Sequence, residues 1–291
     1  MIALIAALAT LWTLLNGKLS RPDGDLIAKV HPYRRLMAFV MRSRTESTVY
    51  LDADLRAEKL LEFLERYRAR GITLTHLLVA AAGDALRAHP NLNRFVAGKR
   101  LYQRRGRHIT FSMKRAKLDA ASKVAVVKLE LEANASLAAT AQQVDQLIHH
   151  QRSGERTAAD AEFGLLTRLP RPLLSAAVAG VRWLDHYNLL PRFFVAGDAL
   201  YTSVFIANLG SLNMSAPYHH LYEWGNCPLF MGVGAIEERV VVRNGEVTTA
   251  QVLPIRWSFD ERIEDGLSAR GGLEHLRRVL EDPESAFSLI G

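Results

Sequence analysis

Two periods of apolar and polar positions run along this chain, and they mark its elements. Thr48 to Ala53 alternates and is β-branched at its start, which predicts a strand. Leu60, Leu61, Leu64 and Tyr67 recur at helical spacing, so residues 54–70 read as a helix that Gly71 ends. Residues 77–88 form an apolar helix, capped by Thr75 and closed before Pro90. A shorter helix opens at His31-Pro32 and runs to Met41. Residues 109–112 and 123–131 read as strands, and 137–150 as an amphipathic helix. An apolar, basic block over about 162–200 follows, punctuated by Pro170, Pro172 and Pro191 into two helices. Then come a strand at 230–235, a hairpin of 240–242 and 247–252 around Asn244-Gly245, and a strand from Leu253 that ends in a sharp turn. An amphipathic helix over about 269–280 closes the pattern.

Residues 1–17 carry no charge and are followed by Lys18 and Arg21. A bilayer span needs about 20 residues, with about 17 as the lower limit, and the basic start of a secretory signal is missing here. Two readings stand: an apolar helix packed on the domain or a neighbour, and a membrane anchor that leaves a cytoplasmic body. Residues 17–25 turn polar and read as a linker. The remaining composition, 49% hydrophobic and 23% charged, is that of a globular chain. The single cysteine, Cys227, forms no intrachain disulfide and reads as a small buried residue in a reducing, cytoplasmic setting. A net charge of +7 points to acidic partners such as coenzyme A phosphates or anionic lipid. No zinc spacing, phosphate loop or aromatic-basic signature is present, so neither a metal nor nucleic acid is expected as a partner.

Three stretches carry a resemblance, and they follow one another along the chain. The first is the strand Val204-Phe205-Ile206-Ala207-Asn208-Leu209-Gly210. The second is Gly232-Val233-Gly234-Ala235-Ile236-Glu237-Glu238-Arg239-Val240 with Gly245-Glu246-Val247. The third is the turn Glu261-Arg262-Ile263-Glu264-Asp265-Gly266. On these residues the chain resembles the acyltransferases related to chloramphenicol acetyltransferase and the catalytic domain of dihydrolipoamide acyltransferases. The resemblance runs from about His31 to the end, interrupted by the 162–200 block. It implies one domain over 26–291, an α/β two-layer sandwich with a mixed β-sheet and helices on one side, forming a homotrimer with the active channel between subunits. It implies acyl-CoA as a thioester donor, and a tail able to dock on a neighbouring trimer and build a cage, here through Leu289 and Ile290.

The same resemblance exposes two substitutions. In the family the turn reads H-x-x-x-D-G, with the histidine as general base; here that position is Glu261, while Asp265 and Gly266 stand. A histidine lies about 2 pKa units below a thiol and a carboxylate about 4, so the carboxylate starts some 3 kcal/mol worse as a base. The family's oxyanion donor is a hydroxyl on the strand that here contains Ala207, with Asn208 and Ser211 beside it on the expected substrate path. Arg34 is the expected partner of Asp265; a solvated basic face is the other reading. His219 and His220 are candidates to replace the missing base, alone or clustered with Glu223 and Glu261; hydrogen-bonded structural histidines are the other reading. Two functions therefore remain open: a divergent acyltransferase near a membrane, and an inactive trimeric scaffold or cage subunit.

Overall fold

The computed structural model describes residues 1–114, 124–153 and 168–287. The chain opens with α1 (Ile2–Gly17), β1 (Gly24–Leu26), α2 (Pro32–Val40), β2 (Thr48–Arg56), α3 (Glu58–Arg66) and α4 (Leu74–Ala88). It continues through β3 (Arg94–Ala97), β4 (Arg100–Arg104), β5 (Arg107–Lys114), β6 (Val124–Leu131) and α5 (Leu137–Arg152). The remaining elements are α6 (Arg171–His186), α7 (Arg192–Gly197), β7 (Val204–Asn208), β8 (Leu229–Val233), β9 (Glu237–Arg243), β10 (Glu246–Asp260), α8 (Gly266–Glu281) and α9 (Pro283–Ala286).

A mixed sheet in the order β2-β10-β8-β7-β5-β6 forms one layer, with β9 paired to β10. β7 runs parallel to β5 and β8; the other pairs are antiparallel. Alternation along β7 divides its faces. Val204 and Ile206 join the core shared with α3, α4, α5 and α8. Phe205 and Ala207 face the other way, against Leu221, Cys227 and Phe230. This is the two-layer α/β sandwich expected, with a small sheet β1-β4-β3 beside it. Cys227 is buried, and its thiol is pushed up to about 11 by that burial.

Local pattern misplaces four features. Residues 54–56 continue β2 instead of opening α3, because β10 pairs with β2 from Val252 to Asp260. The hairpin return and the strand after it are one element, β10. Pro254 is tolerated inside it because β8 pairing stops at Ile255 and β9 pairing starts at Val252, which leaves a gap in the ladder on that side. α4 starts a turn earlier than expected, capped by Thr73, and Thr75 instead accepts a hydrogen bond from Asn208. The polar stretch at 17–25 is exposed over residues 17–20 but not throughout: Arg21 and Asp23 are 4% and 8% exposed. Leu289 and Ile290, the expected docking tail, lie outside the described residues, as do residues 162–167 at the start of the helical block.

His76 fixes the start of α4. Its Nδ1 accepts the Thr73 N–H at 3.3 Å, so Nε2 carries the proton and donates to Asp145 Oδ1 at 3.2 Å. Burial holds its pKa below the usual 6.5, and burial together with Arg104 and Lys128 does the same for His108. The unfolded chain takes up these protons below pH 6.5 while the folded chain resists them, so stability is complete above that pH and falls as the pH drops through it. The thermal midpoint should therefore fall between about pH 7 and 5, and His76→Asn should flatten that dependence. Equal midpoints at the two pH values would remove this account.

Candidate active site

The turn after β10 is built on buried charge. Asp260, 1% exposed, accepts from Ser47 Oγ at 2.9 Å and from Arg262 Nε and Nη2 at 2.8 and 2.7 Å. The backbone N–H of Glu261 donates to the Ser47 carbonyl at 3.0 Å. These contacts fix the main chain at Glu261 and leave its carboxylate half-buried, with no hydrogen bond or ion pair to any described residue. Asp265 is the N-cap of α8, its Oδ1 accepting from Ser268 N at 2.9 Å. That contact and Arg34 hold its carboxyl below the usual range.

Arg34 reaches this turn from α2, as expected, but its nearer partner is Glu264. Its Nη2 lies 3.2 Å from Glu264 Oε1 and 3.8 Å from Asp265 Oδ2, and its Nη1 donates to the Glu261 carbonyl at 3.4 Å. Arg94 takes the other oxygen of Glu264 at 2.8 Å. Glu264 is 6% exposed, and a carboxylate so buried needs both guanidinium groups. Sequence reasoning missed Glu264 and Arg94. Glu264 was visible inside the turn motif; Arg94 gave no local signal, since its partner is 170 residues away.

Glu261 and Ala207, the positions where the resemblance puts the base and the oxyanion donor, lie apart within one chain. Ala207 pairs with Gly232, and Gly232 with Arg256, so Ala207 lies level with Arg256 across the sheet. Glu261 is five residues further along, about 17 Å at the rise of a strand. Neither neighbouring serine supplies the missing hydroxyl. Ser203 Oγ accepts from His108 N at the start of β7, and Ser211 Oγ donates back to the Asn208 carbonyl at 2.9 Å. Asn208 Nδ2 donates to Thr75 Oγ1 at 3.4 Å, while its Oδ1 is buried without a partner among the described residues.

His219 and His220 lie in a loop, not on a strand, and their rings stack 4.8 Å apart instead of pointing to opposite faces. His219 also stacks on Phe230 at 4.2 Å, and its carbonyl accepts from Ser258 Oγ. Nδ1 of His219 donates to the His220 carbonyl at 2.6 Å, and Nδ1 of His220 to the Leu221 carbonyl at 2.9 Å. A carbonyl only accepts, so in both rings Nε2 is left as the basic nitrogen. Burial lowers the pKa of His219. No hydrogen bond joins either ring to Glu261. Glu223 is also apart, its Oε1 accepting from the backbone and hydroxyl of Thr45, both at 2.8 Å.

Residues 25–167 and 202–288 match the family described as 2-oxoacid dehydrogenases acyltransferase (catalytic domain). Over 54 residues the chain is 44% identical to the dihydrolipoyllysine-residue acetyltransferase component of the pyruvate dehydrogenase complex of Bacillus subtilis (strain 168). That stretch is 19% of this chain and 12% of the relative, so the match spans about an eighth of the relative's length. A probable dihydrolipoamide acetyltransferase from Listeria monocytogenes 4b F2365 superposes with a TM-score of 0.59 at 16% identity, over 92% of this chain and 98% of that one. The cubic core of a pyruvate dehydrogenase multienzyme complex gives 0.58 at 18% identity, over 88% and 93%. These two likenesses show the shared fold.

Proposed function

The chain belongs to the 2-oxoacid dehydrogenase acyltransferase family, and from that membership we propose that it transfers an acyl group between thiols as a homotrimer, with Glu261 as general base. The unpartnered Glu261 carboxylate carries this reading: every acidic neighbour in the turn is committed to an arginine or a cap, and Glu261 alone in the turn has no side-chain partner among the described residues. In the proposed step Glu261 takes the acceptor thiol's proton and the thiolate attacks the thioester carbonyl. The tetrahedral oxyanion then collapses, expelling the donor thiolate, which recovers the proton from Glu261. Arg34 holds the turn through Glu264 and the Glu261 carbonyl. Asn208 and Ser211 would line the acyl-CoA path from a second copy, because one chain already keeps the preceding Ala207 some 17 Å from the base. Trimers would stack into a cage as in the cubic core above.

The test is thiol release from acyl-CoAs of short to long chain by the purified protein. Turnover that Glu261→Gln abolishes supports the proposal. The free Nε2 of His220 favours a second reading, in which His220→Ala, not Glu261→Gln, abolishes turnover. Silence with every donor leaves the scaffold reading, which the missing hydroxyl at Ala207 favours.

We further propose that this site works beside a membrane. α1 has no buried residue, and a helix apolar all round is stable only when covered. Its 16 residues reach about 24 Å, short of the roughly 30 Å hydrocarbon core, and no described helix is long and apolar enough to cross a membrane. Exposed Leu173, Trp183 and Phe193 stand near Arg171, Arg182 and Arg192 on α6 and α7, a basic, apolar surface suited to anionic lipid. The protein should float with anionic vesicles, and Leu8→Glu with Leu11→Glu should abolish flotation without moving the thermal midpoint. Loss of the oligomer in that variant, without flotation of the wild type, would show that α1 packs between copies.

A further inference from the structure

α6 and α7 fall inside residues 168–201, which the family match leaves out. α6 has no buried residue, yet its C-terminal end is closely seated. The Gly98 Cα stands so close to its end that a Cβ there would lie 2.1 Å from the His186 carbonyl. Gly98 and Lys99 both take positive φ, 53° and 62°, in the turn that receives the helix. Between α6 and this turn is a cavity of about 300 Å³. Its other walls are the segment after α2, the loop at 223–225, and Arg262.

Five cationic side chains and two carboxylates line this cavity. The carboxylates are already used: Asp185 takes Arg21 Nη2 at 2.8 Å, and Glu223 takes Thr45. Two of the cations are used as well. Arg262 is bound to Asp260, and Arg44 donates to the carbonyls of Tyr222, Glu223 and Val96. Arg42, Lys99 and Arg182, from three different walls, make no side-chain hydrogen bond or ion pair with a described residue; Lys99 only lies over the Phe39 ring at 4.9 Å. Tyr201 is a separate sign. It is 2% exposed and lines the cavity, yet its hydroxyl has no hydrogen-bond partner among the described residues. Burial keeps that phenol protonated, and so a donor.

We propose that this cavity binds a small molecule through a phosphate group, held by Arg42, Lys99 and Arg182 and capped by the Tyr201 hydroxyl. Three cations from three walls, none paired with either lining carboxylate, suit a dianion, and arginine recognises phosphate in a paired geometry. The volume matches the lower end of small-molecule sites, about 300–1,000 Å³. Glu261 does not line the cavity, although its neighbour Arg262 does, and the proposal stands whether or not acyl transfer occurs.

Calorimetric titration of the full-length protein with inorganic pyrophosphate tests it. One saturable site per chain is expected at physiological salt. Arg182→Ala, Lys99→Ala and Tyr201→Phe should each weaken it, the two charge deletions by about tenfold or more. Arg270→Ala, an exposed arginine on α8 away from the cavity, should bind as wild type does. Arg182 is exposed, so its removal leaves folding intact, and an unchanged thermal midpoint checks that. Absence of saturable binding, or equal weakening by Arg270→Ala, overturns the proposal. Coenzyme A distinguishes the source of the phosphate. If it displaces pyrophosphate and is itself weakened by Arg182→Ala, the site holds the nucleotide end of an acyl donor. If pyrophosphate binds undisturbed by coenzyme A, the site takes a separate phosphorylated molecule.

Discussion

Glu261→Gln should lower kcat/KM for acyl transfer by about a hundredfold to ten-thousandfold, the usual contribution of a general base. Glu261→His should act in the opposite direction. A histidine is about 2 pKa units closer to the thiol than a carboxylate, and a proton transfer of intermediate sensitivity converts this into about a tenfold gain near pH 7. The main chain at this position is held by Ser47, Arg34 and the Asp260–Arg262 pair, none of which touches the side chain being changed. The variant should therefore fold, and thermal midpoints check it. Adding Ala207→Ser to Glu261→His should restore an oxyanion donor worth about a hundredfold to a thousandfold. The double variant should exceed either single one, because the two groups act on one tetrahedral intermediate. Should Glu261→Gln turn over as fast as wild type, Glu261 is not the base. Should only the histidine variant be active, the channel is intact and Glu261 is what silences it.

The second large effect concerns stability. Arg21→Ala should cost about 3 to 5 kcal/mol, the penalty for leaving buried charges unpaired. The Arg21 side chain is 1% exposed and donates to Asp23 at 3.0 Å, to Asp185 at 2.8 Å and to Asn188 at 3.1 Å. Asp23 is also bound by Asn226 at 2.6 Å and lies 3.7 Å from Arg104, which is fully buried and pulled down to about 10. The network thus ties the N-terminal segment, α6, β4 and the loop before β8 together. Its removal should loosen α6 and the phosphate-binding cavity with it. Arg105→Ala is the contrast. Its pair with Asp25 is 55% and 64% exposed and should cost less than about 1 kcal/mol. Urea unfolding of both variants reads the difference, and equal costs would mean that the buried network does not secure the fold.

Much of the frame was legible in the sequence because it rests on local rules. The helical spacing in residues 137–150 and the prolines around α6 and α7 each act within a few residues, and each element appears where they put it; Gly71 instead caps a 3-10 turn at Arg68–Arg70, because α3 has already ended at Arg66. The three quoted stretches also gave the family, since they preserve the strand–turn–helix in which Asp265 caps α8. What misled was locality itself. Residues 54–56 adjoin the helical spacing that starts at Leu60, but β10 offers them a full antiparallel partner, and the sheet wins.

Residue identity and short-range period were enough to determine the α/β family and the uncharged N-terminal helix, and to raise the expectation that Glu261 and Ala207 stand where the family has a histidine and a hydroxyl. Tertiary structure alone decided that Arg34 serves Glu264 more closely than Asp265, that Arg21 and Asp23 are buried, that His219 and His220 stack in a loop with no hydrogen bond to Glu261, and that Arg42, Lys99 and Arg182 line one cavity. Each of these depends on which distant residue fills the space opposite, and a charge is stabilised by the partner it finds there, 164 positions away for Arg21 and Asp185.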